Sequence, residues 1–95
     1  MLTVVARIVA KPGQEEATKK ALLKLVPITV KEKGCIEYVL HQSNDDARLF
    51  LFHENWTDRA ALDAHLQAPH VKAFHVQAET LLAQPPELTF LTKIS

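Results

Sequence analysis

The chain has 95 residues, of which 47% are hydrophobic and 23% are charged, and this length and balance predict a single globular domain over residues 1–95. Eleven basic residues offset eleven acidic ones, which argues against nucleic acid or a membrane surface as a partner, since both attract a basic protein surface. The only cysteine, Cys35, cannot form an intrachain disulfide, so we expect a reducing, cytoplasmic location.

The N-terminal segment predicts a strand followed by a tight turn. Leu2 to Ala10 is rich in β-branched residues, lacks a helical period and is apolar on both faces, which is typical of an internal strand. Lys11-Pro12-Gly13 predicts the turn. Because Arg7 interrupts the apolar run, and because no run reaches the roughly 20 residues of a membrane span, we expect neither a signal peptide nor a membrane helix.

The next segment carries the pattern of an amphipathic helix. Between Gln14 and Lys33, apolar residues recur at helical spacing with charged residues opposite them. Acidic residues open this helix, and Lys31 and Lys33 are expected to close it, which suits the helix dipole. Gly34 is the expected stop, and Pro27 is expected to kink or break the helix.

The second half of the chain predicts a hairpin, a split helix and a final strand. A polar turn at 43–46 joins two strand-like runs, which favours an antiparallel hairpin. Thr57 or Asp58 is expected to cap the next helix. Pro69 is expected to begin another helix, and the paired prolines near the C-terminus to end it. The expected elements are strands over 35–42, 47–56 and 88–94, and helices over 58–66 and 69–84.

This order of elements, β-α-β-β-α-β with the second helix split, predicts a ferredoxin-like α+β fold, in which helices cover one face of an antiparallel sheet. Both faces of the first strand are apolar, and Phe50, Phe52 and Trp56 share one side of the third strand. We expect these aromatic side chains on the face without helices. A second copy of the sheet would cover that face and give a two-fold homodimer with a barrel-like core.

Four of the five histidines lie between residues 53 and 75. His65 follows Leu62 by three residues and so shares the inward face of its helix, where it could be a packed residue or a proton carrier at neutral pH. His53 is expected to pack on the helix side or to form a polar bond. His65, His70 and His75 are five residues apart, and steps of five turn side chains away from one another on a helix, so no metal site is predicted.

Glu54 and the only tryptophan, Trp56, share a strand face two residues apart. A carboxylate beside an indole on an apolar face indicates either a pocket or a buried ion pair, for which Arg7 and Arg48 are the candidate partners. The Tyr38 hydroxyl could face the same pocket or pack in the core. These patterns predict an aromatic-lined cavity between sheet and helix with histidine near it. The chain has no nucleotide loop and no flavin or nicotinamide fingerprint.

Three stretches of the sequence carry a family resemblance. They are MLTVVARIVAKPGQEE, then Glu-Lys-Gly-Cys with a tyrosine three residues later, and then E-x-W-x-D-x-x-A-L-x-x-H-x-x-x-x-H-x-x-x-F from Glu54 to Phe74. Together they resemble the antibiotic biosynthesis monooxygenase (ABM) family, and most of all its quinol monooxygenase branch. The resemblance covers Met1 to about Leu82 and implies the dimeric ferredoxin-like barrel.

The resemblance also implies an activity. Oxygenases of the family insert O₂ into phenolic or quinol-type aromatics without metal, flavin or heme, so the protein need only remove a proton, exclude water and hold both reactants. We therefore expect a cofactor-independent monooxygenase with molecular oxygen as co-substrate and without a bound cofactor or metal. The expected catalytic residues are His65 as proton carrier, Trp56 as an apolar wall and Glu54 as an orienting group. The expected pocket residues are Phe50, Phe52, Tyr38, His70 and Phe74.

Other branches of the family match less well. Polyketide-oxidising relatives have a tryptophan that corresponds to Trp56, but their cavity asparagine falls at Phe52. Heme-degrading relatives have a proximal histidine that resembles His75, whereas their tryptophan and asparagine fall at His65 and Ala6, which argues against heme. A branch of signal-degrading isomerases resembles the run from His65 to His70. Non-oxidative proton transfer on a small dicarbonyl and a non-catalytic ligand-binding dimer are therefore the alternatives.

Overall fold

The computed structural model describes all residues from Met1 to Ser95. The elements are β1 (Leu2–Val9), α1 (Glu15–Thr29), β2 (Cys35–Gln42), β3 (Leu49–Trp56), α2 (Arg59–Leu66), α3 (Pro69–Leu81) and β4 (Glu87–Leu91). The strands form one antiparallel sheet in the order β2-β3-β1-β4, which confirms the predicted ferredoxin-like arrangement. None of the helices combines the length and the apolar character needed to cross a bilayer.

The two central strands, β1 and β3, place their buried side chains on the same face of the sheet. On β3 burial alternates strictly, and Phe50, Phe52, Glu54 and Trp56 are the buried positions. Antiparallel register pairs Ala6 of β1 with Phe52, so small side chains of one strand lie beside large ones of the next. The three helices pack over this layer and form one hydrophobic core with it.

The aromatic side chains of β3 therefore lie under the helices of the same chain. Phe50 and Trp56 are fully buried, and Phe52 is 2% exposed. The prediction that they occupy the open face is wrong. Alternation along β3 shows which side chains share a face, but it does not show which face the helices cover. Their burial requires no second chain.

The opposite face of the sheet is mixed in character. His53 lies on this face, where its Nδ1 is 3.0 Å from a carboxylate oxygen of Glu37 and where it pairs across the strands with the 40% exposed Val39. The prediction of helix-side packing is wrong, since His53 alternates with Phe52 and Glu54, which face the helices. The alternative prediction of a polar bond is confirmed by the contact with Glu37.

Helix α1 is shorter than its pattern predicts. It runs through Pro27 and ends at Thr29 rather than at Lys33. Beyond it the chain turns, and the Glu32 backbone N–H donates to the carbonyl of Thr29 at 2.9 Å. Lys31 and Lys33 thus lie in the turn and do not close the helix.

Gly34 reverses the chain after this turn. Its φ of +86° lies in the left-handed region that favours glycine. A Cβ at this position would lie 2.5 Å from the Cβ of Ala61 and 2.8 Å from the hydroxyl of Thr57, so the backbone approaches the first turn of α2 directly. This close approach holds Glu32 beside α2.

The remaining boundaries agree with the predictions to within a few residues. Asp58 caps α2 by accepting a hydrogen bond of 2.9 Å from the Ala61 backbone N–H, and Pro69 begins α3. Helix α3 ends at Leu81 rather than at residue 84, and β4 covers residues 87–91 rather than 88–94.

We predict that Gly34→Ala destabilises the protein by about 3 kcal/mol or more, because the new Cβ adds a clash with the side chains of Ala61 and Thr57 to the conformational penalty. Gly13→Ala is the matched control. Gly13 has a φ of +87° with nothing within 4 Å of its would-be Cβ, so it should lose only about 1–2 kcal/mol. Urea unfolding of both variants measures the difference, and equal losses would contradict the close approach.

Candidate active site

A cavity of about 50 Å³ lies between the sheet and the helices. Most of its lining is apolar and comes from every layer of the fold: Ala6, Ile8, Phe52 and Leu88 from the sheet, Leu22 and Leu25 from α1, Leu62 and Leu66 from α2, and Val71 and Phe74 from α3. Four side chains with polar groups also line it, namely Tyr38, Glu54, His65 and His75. The space is enough for about one to three water-sized molecules.

A wider open groove adjoins this cavity. Its volume is about 610 Å³, and it lies along the end of α3 and the paired prolines that follow. His75 and Pro86 line both spaces. These two residues therefore lie where the two spaces adjoin.

His65 is the best-enclosed imidazole of the chain. It lies on α2 one turn after Leu62 and is 4% exposed, as its predicted inward direction requires. Its ring centroid is 4.7 Å from that of Trp56 and 5.5 Å from that of Tyr38. Burial lowers the pKa of His65, while a hydrogen bond with Glu32 acts in the opposite direction. The imidazole is therefore neutral at pH 7.

Glu32 fixes the tautomer of this imidazole. One of its carboxylate oxygens lies 2.6 Å from Nδ1 of His65. Since a carboxylate only accepts hydrogen bonds, Nδ1 carries the proton, and the other ring nitrogen, Nε2, keeps a free lone pair. The pair has the form of the carboxylate–histidine dyads that act as general bases. The pattern of apolar residues gave no role to Glu32, which lies in the turn that Gly34 reverses.

The same carboxylate also contacts His70. The distance from the Glu32 oxygen to Nε2 of His70 is 3.3 Å, and the Thr29 hydroxyl lies 3.0 Å from that nitrogen. The rings of His65 and His70 are 5.9 Å apart between centroids. Their spacing of five residues predicts separation only on a continuous helix, but α2 ends at Leu66 and α3 begins at Pro69. The expectation that these histidines point to different places is therefore wrong.

Glu54 presents a second titratable group to the cavity. It is 4% exposed and accepts a hydrogen bond of 2.9 Å from Nε1 of Trp56. Neither predicted arginine partner is present, because Arg48 pairs with Asp46 at 3.5 Å and Arg7 is exposed on the other face of β1. Burial raises the pKa of Glu54 to about 7, against the opposing effect of the Trp56 hydrogen bond.

Tyr38 completes the polar part of the wall. Its ring stacks on that of Phe52 with a centroid distance of 4.4 Å. Burial, and then the negative charge of Glu54, raises the pKa of the phenol well above its ordinary value. Tyr38 therefore remains a neutral hydroxyl that can donate a hydrogen bond into the cavity.

The structure divides the predicted site residues into two groups. Those that line the cavity are His65, Glu54, Tyr38, Phe52 and Phe74. Those that lie behind it are Trp56, Phe50 and His70. Sequence patterns missed the lining residues His75, Pro86 and Leu88. Leu88 lines the cavity because β4 returns beside β1, and His75 lies on α3.

Known proteins of similar sequence place the chain in a family. The family model for antibiotic biosynthesis monooxygenase matches residues 1–77. The chain belongs to the ABM family. A protein of Escherichia coli that is named probable quinol monooxygenase YgiN is 39% identical in an alignment 85 positions long, which covers 78% of this chain and 81% of YgiN. The uncharacterized protein sll1783 of Synechocystis is 33% identical over 92% of this chain, which spans only 59% of the length of sll1783.

Solved structures of similar proteins share the whole ABM-type fold. PA3566 from Pseudomonas aeruginosa superposes with a TM-score of 0.93 at 38% sequence identity, over 99% of this chain and 94% of that protein. Rv0793 from Mycobacterium tuberculosis gives a TM-score of 0.91 at 30% identity, over 99% and 95%. The described cavity thus lies in a fold that these proteins have in common.

Among the titratable side chains, one group could hold a metal ion. Glu32, His65 and His70 each offer one ligand atom, and these three atoms lie within 4.8 Å of one another.

We predict that the free energy of unfolding contributed by Glu54 falls as pH rises from about 4.5 to above 7. In this range the Glu54 carboxyl keeps its proton in the folded protein, where its pKa is about 7. In the unfolded chain, where its pKa has the ordinary value of 4.5, the carboxyl releases the proton. The full loss is about 3 kcal/mol. Denaturant titrations across this pH range give the free energy of unfolding of wild type and of Glu54→Gln, and the difference between the two measures the loss.

Glu79→Gln is the control for that measurement, because Glu79 is exposed on α3. Its difference from wild type should stay nearly constant over the same pH range. A wild-type advantage over Glu54→Gln that grows with pH would contradict a raised pKa at Glu54.

Proposed function

We propose that this ABM-family protein is a cofactor-independent monooxygenase of small quinol-type or other phenolic aromatics, and that it works as a cytoplasmic homodimer. The observation that carries the proposal is the contact of 2.6 Å between the Glu32 carboxylate and Nδ1 of His65 at the wall of an aromatic-lined cavity. A neutral imidazole oriented in this way is suited to accept a phenolic proton.

Proton removal is the step that the protein must supply. A phenolate is electron-rich enough to pass an electron to O₂, after which carbon–oxygen bond formation gives a hydroperoxide. Loss of water from that intermediate leaves one oxygen atom on the ring and the other in water. For a quinol, oxidation of the ring supplies all the electrons, so no external reductant is needed. A dry, apolar wall favours this course because it protects the reactive intermediates from solvent.

The size of the cavity indicates how the reactants would be arranged. An aromatic ring needs more than about 50 Å³, since ligand pockets typically measure roughly 300–1,000 Å³. The adjoining groove of about 610 Å³ has the required size. We propose that the ring enters from the groove past His75 and Pro86, and that O₂, a small apolar molecule, occupies the inner cavity.

Non-oxidative proton transfer is the second candidate function. It is favoured by the presence of two acid–base groups, His65 and Glu54, on one cavity. Enolisation of a dicarbonyl requires a base at carbon and an acid at oxygen, and a carboxyl with a pKa of about 7 can serve as either. The E. coli relative that is named as a quinol monooxygenase supports the oxidative alternative.

Oxygen uptake and product mass with a panel of hydroquinones test the first proposal. Proton–deuterium exchange with a panel of small dicarbonyls tests the second. Uptake with addition of one oxygen atom supports the monooxygenase. Exchange without uptake supports the proton-transfer enzyme. If neither uptake nor exchange is observed, a non-catalytic ligand-binding dimer is the remaining alternative.

We predict that His65→Ala lowers turnover by roughly 10²–10⁴, the usual contribution of a positioned general base. Glu32→Gln should lower it by a similar factor of roughly 10²–10⁴, because the amide can donate to Nδ1 and force the proton onto Nε2. Steady-state oxygen uptake measures both effects, and circular dichroism checks that the variants fold.

Two exposed histidines provide the controls for these variants. His53→Ala and His41→Ala should change turnover little, since neither residue lines the cavity. Full activity of folded His65→Ala on a verified substrate would show that His65 is a core residue only.

Support for the homodimer comes from the sheet face without helices. Val39 and Leu91 lie on this face, since they pair with His53 and Thr3, and they are 40% and 42% exposed in the single chain. Covering them with a second copy would bury apolar surface that one chain leaves in water.

We predict a dimer at micromolar concentration in sedimentation velocity, with about 1,600 Å² or more buried between the chains. Val39→Glu should shift the population toward monomer, because it places a charge on the covered face. Val76→Glu is the matched control, since Val76 is 74% exposed on α3 and should leave the dimer intact. A wild-type monomer would contradict this assembly.

A further inference from the structure

Two histidines and one carboxylate converge from three separate parts of the chain. Glu32 comes from the turn after α1, His65 from α2 and His70 from the first turn of α3. The shared carboxylate oxygen lies 2.6 Å from Nδ1 of His65 and 3.3 Å from Nε2 of His70. The proposed proton transfer uses the first contact but gives no role to the second.

This arrangement has the composition of a transition-metal site. Two imidazoles and one carboxylate are a recurrent ligand set for Zn²⁺ and other divalent ions, with a fourth position left to water. Metal–ligand distances of about 2.0–2.1 Å place tetrahedral ligand atoms roughly 3.3 Å apart. The contact of 3.3 Å matches that value, the contact of 2.6 Å would lengthen when the ion replaces the shared proton, and the third distance is at most 4.8 Å.

The surroundings also suit an ion. The side chains are 5%, 14% and 19% exposed for His65, His70 and Glu32, so the cluster is enclosed but reachable from the side of Glu32 and His70. The Thr29 hydroxyl is fully buried and contacts His70. Because this contact is to Nε2, the nitrogen that would bind the ion, the ion would replace that hydrogen bond and leave the hydroxyl as a polar neighbour of the site.

We infer that Glu32, His65 and His70 bind a divalent transition-metal ion, such as Zn²⁺ or Co²⁺, and that its binding converts His65 from a proton acceptor into a proton donor at the cavity. The ion takes the place of the proton on Nδ1, and that proton moves to Nε2. The ring stays neutral, no electron is transferred, and Nε2 loses its free lone pair.

The effect on activity rests on the proposed function. If Nε2 of His65 accepts the proton of the substrate, then an ion on Nδ1 inhibits turnover. The cluster would then be a site at which zinc regulates the enzyme, rather than a site for a catalytic ion.

Co²⁺ titration of the untagged, chelator-treated full chain tests the site without any substrate. We expect saturable visible absorption with the intensity of four-coordinate cobalt, one ion per chain, and displacement by Zn²⁺. Glu32→Gln and the similarly sized His70→Gln should weaken binding by more than about 100-fold, since loss of a mere supporting residue already costs about 10- to 100-fold. Circular dichroism confirms that both variants are folded.

His53→Ala is the matched control for the titration. His53 forms a histidine–carboxylate contact of 3.0 Å with Glu37 on the open face, but no second histidine joins it. This variant should bind Co²⁺ like wild type. Absence of a saturable spectrum, or a spectrum that survives both Glu32→Gln and His70→Gln, would overturn the site.

Nitrogen-15 NMR of the histidine rings tests the change of tautomer. In the free protein we expect the proton of His65 on Nδ1, and with Zn²⁺ we expect it on Nε2. An unchanged Nε2 signal in the zinc-loaded protein would overturn the second half of the inference. If zinc binds and moves the proton while turnover of a verified quinol continues, then the role of His65 as base is wrong and the metal site stands.

Discussion

The contact between Glu32 and His65 is the interaction on which the rest of the site depends. A buried imidazole with no partner would keep either of two tautomers, and its pKa would be lowered by burial alone. A carboxylate at 2.6 Å selects one tautomer and directs the free lone pair away from itself. That contact in turn requires Gly34, because any side chain there would push the turn that carries Glu32 away from α2.

The sheet contributes the opposite wall and a second kind of chemistry. Register between β2 and β3 sets Tyr38 beside Glu54, and alternation along β3 puts Phe52 and Trp56 on the same side. Burial shifts the pKa of both ionisable groups upward, so the wall presents a neutral phenol and a carboxyl that titrates near pH 7. Below its pKa the Glu54 carboxyl is uncharged like the Tyr38 phenol, which keeps the desolvation cost of this wall low.

Much of the fold was predictable from the sequence, because helical spacing and strand alternation are local properties. The order of elements and the inward direction of His65 followed from them. The face occupied by Phe50, Phe52 and Trp56 did not, since β1 is apolar on both sides and only packing of the helices decides the matter. Glu32 and His70 were missed as neighbours of His65. Glu32 reaches His65 through a turn and His70 through a break between two helices, and neither feature produces a repeating pattern of apolar residues in the sequence.

Trp56 gives the molecule an internal optical reporter. It is the only indole of the chain, it is fully buried, its N–H is bonded to Glu54 and its ring lies 4.7 Å from that of His65. Protonated imidazole and carboxyl groups quench indole emission on contact. The intrinsic fluorescence of the protein therefore follows the protonation of both acid–base groups without an attached dye, and it does so from within the structure rather than from its surface.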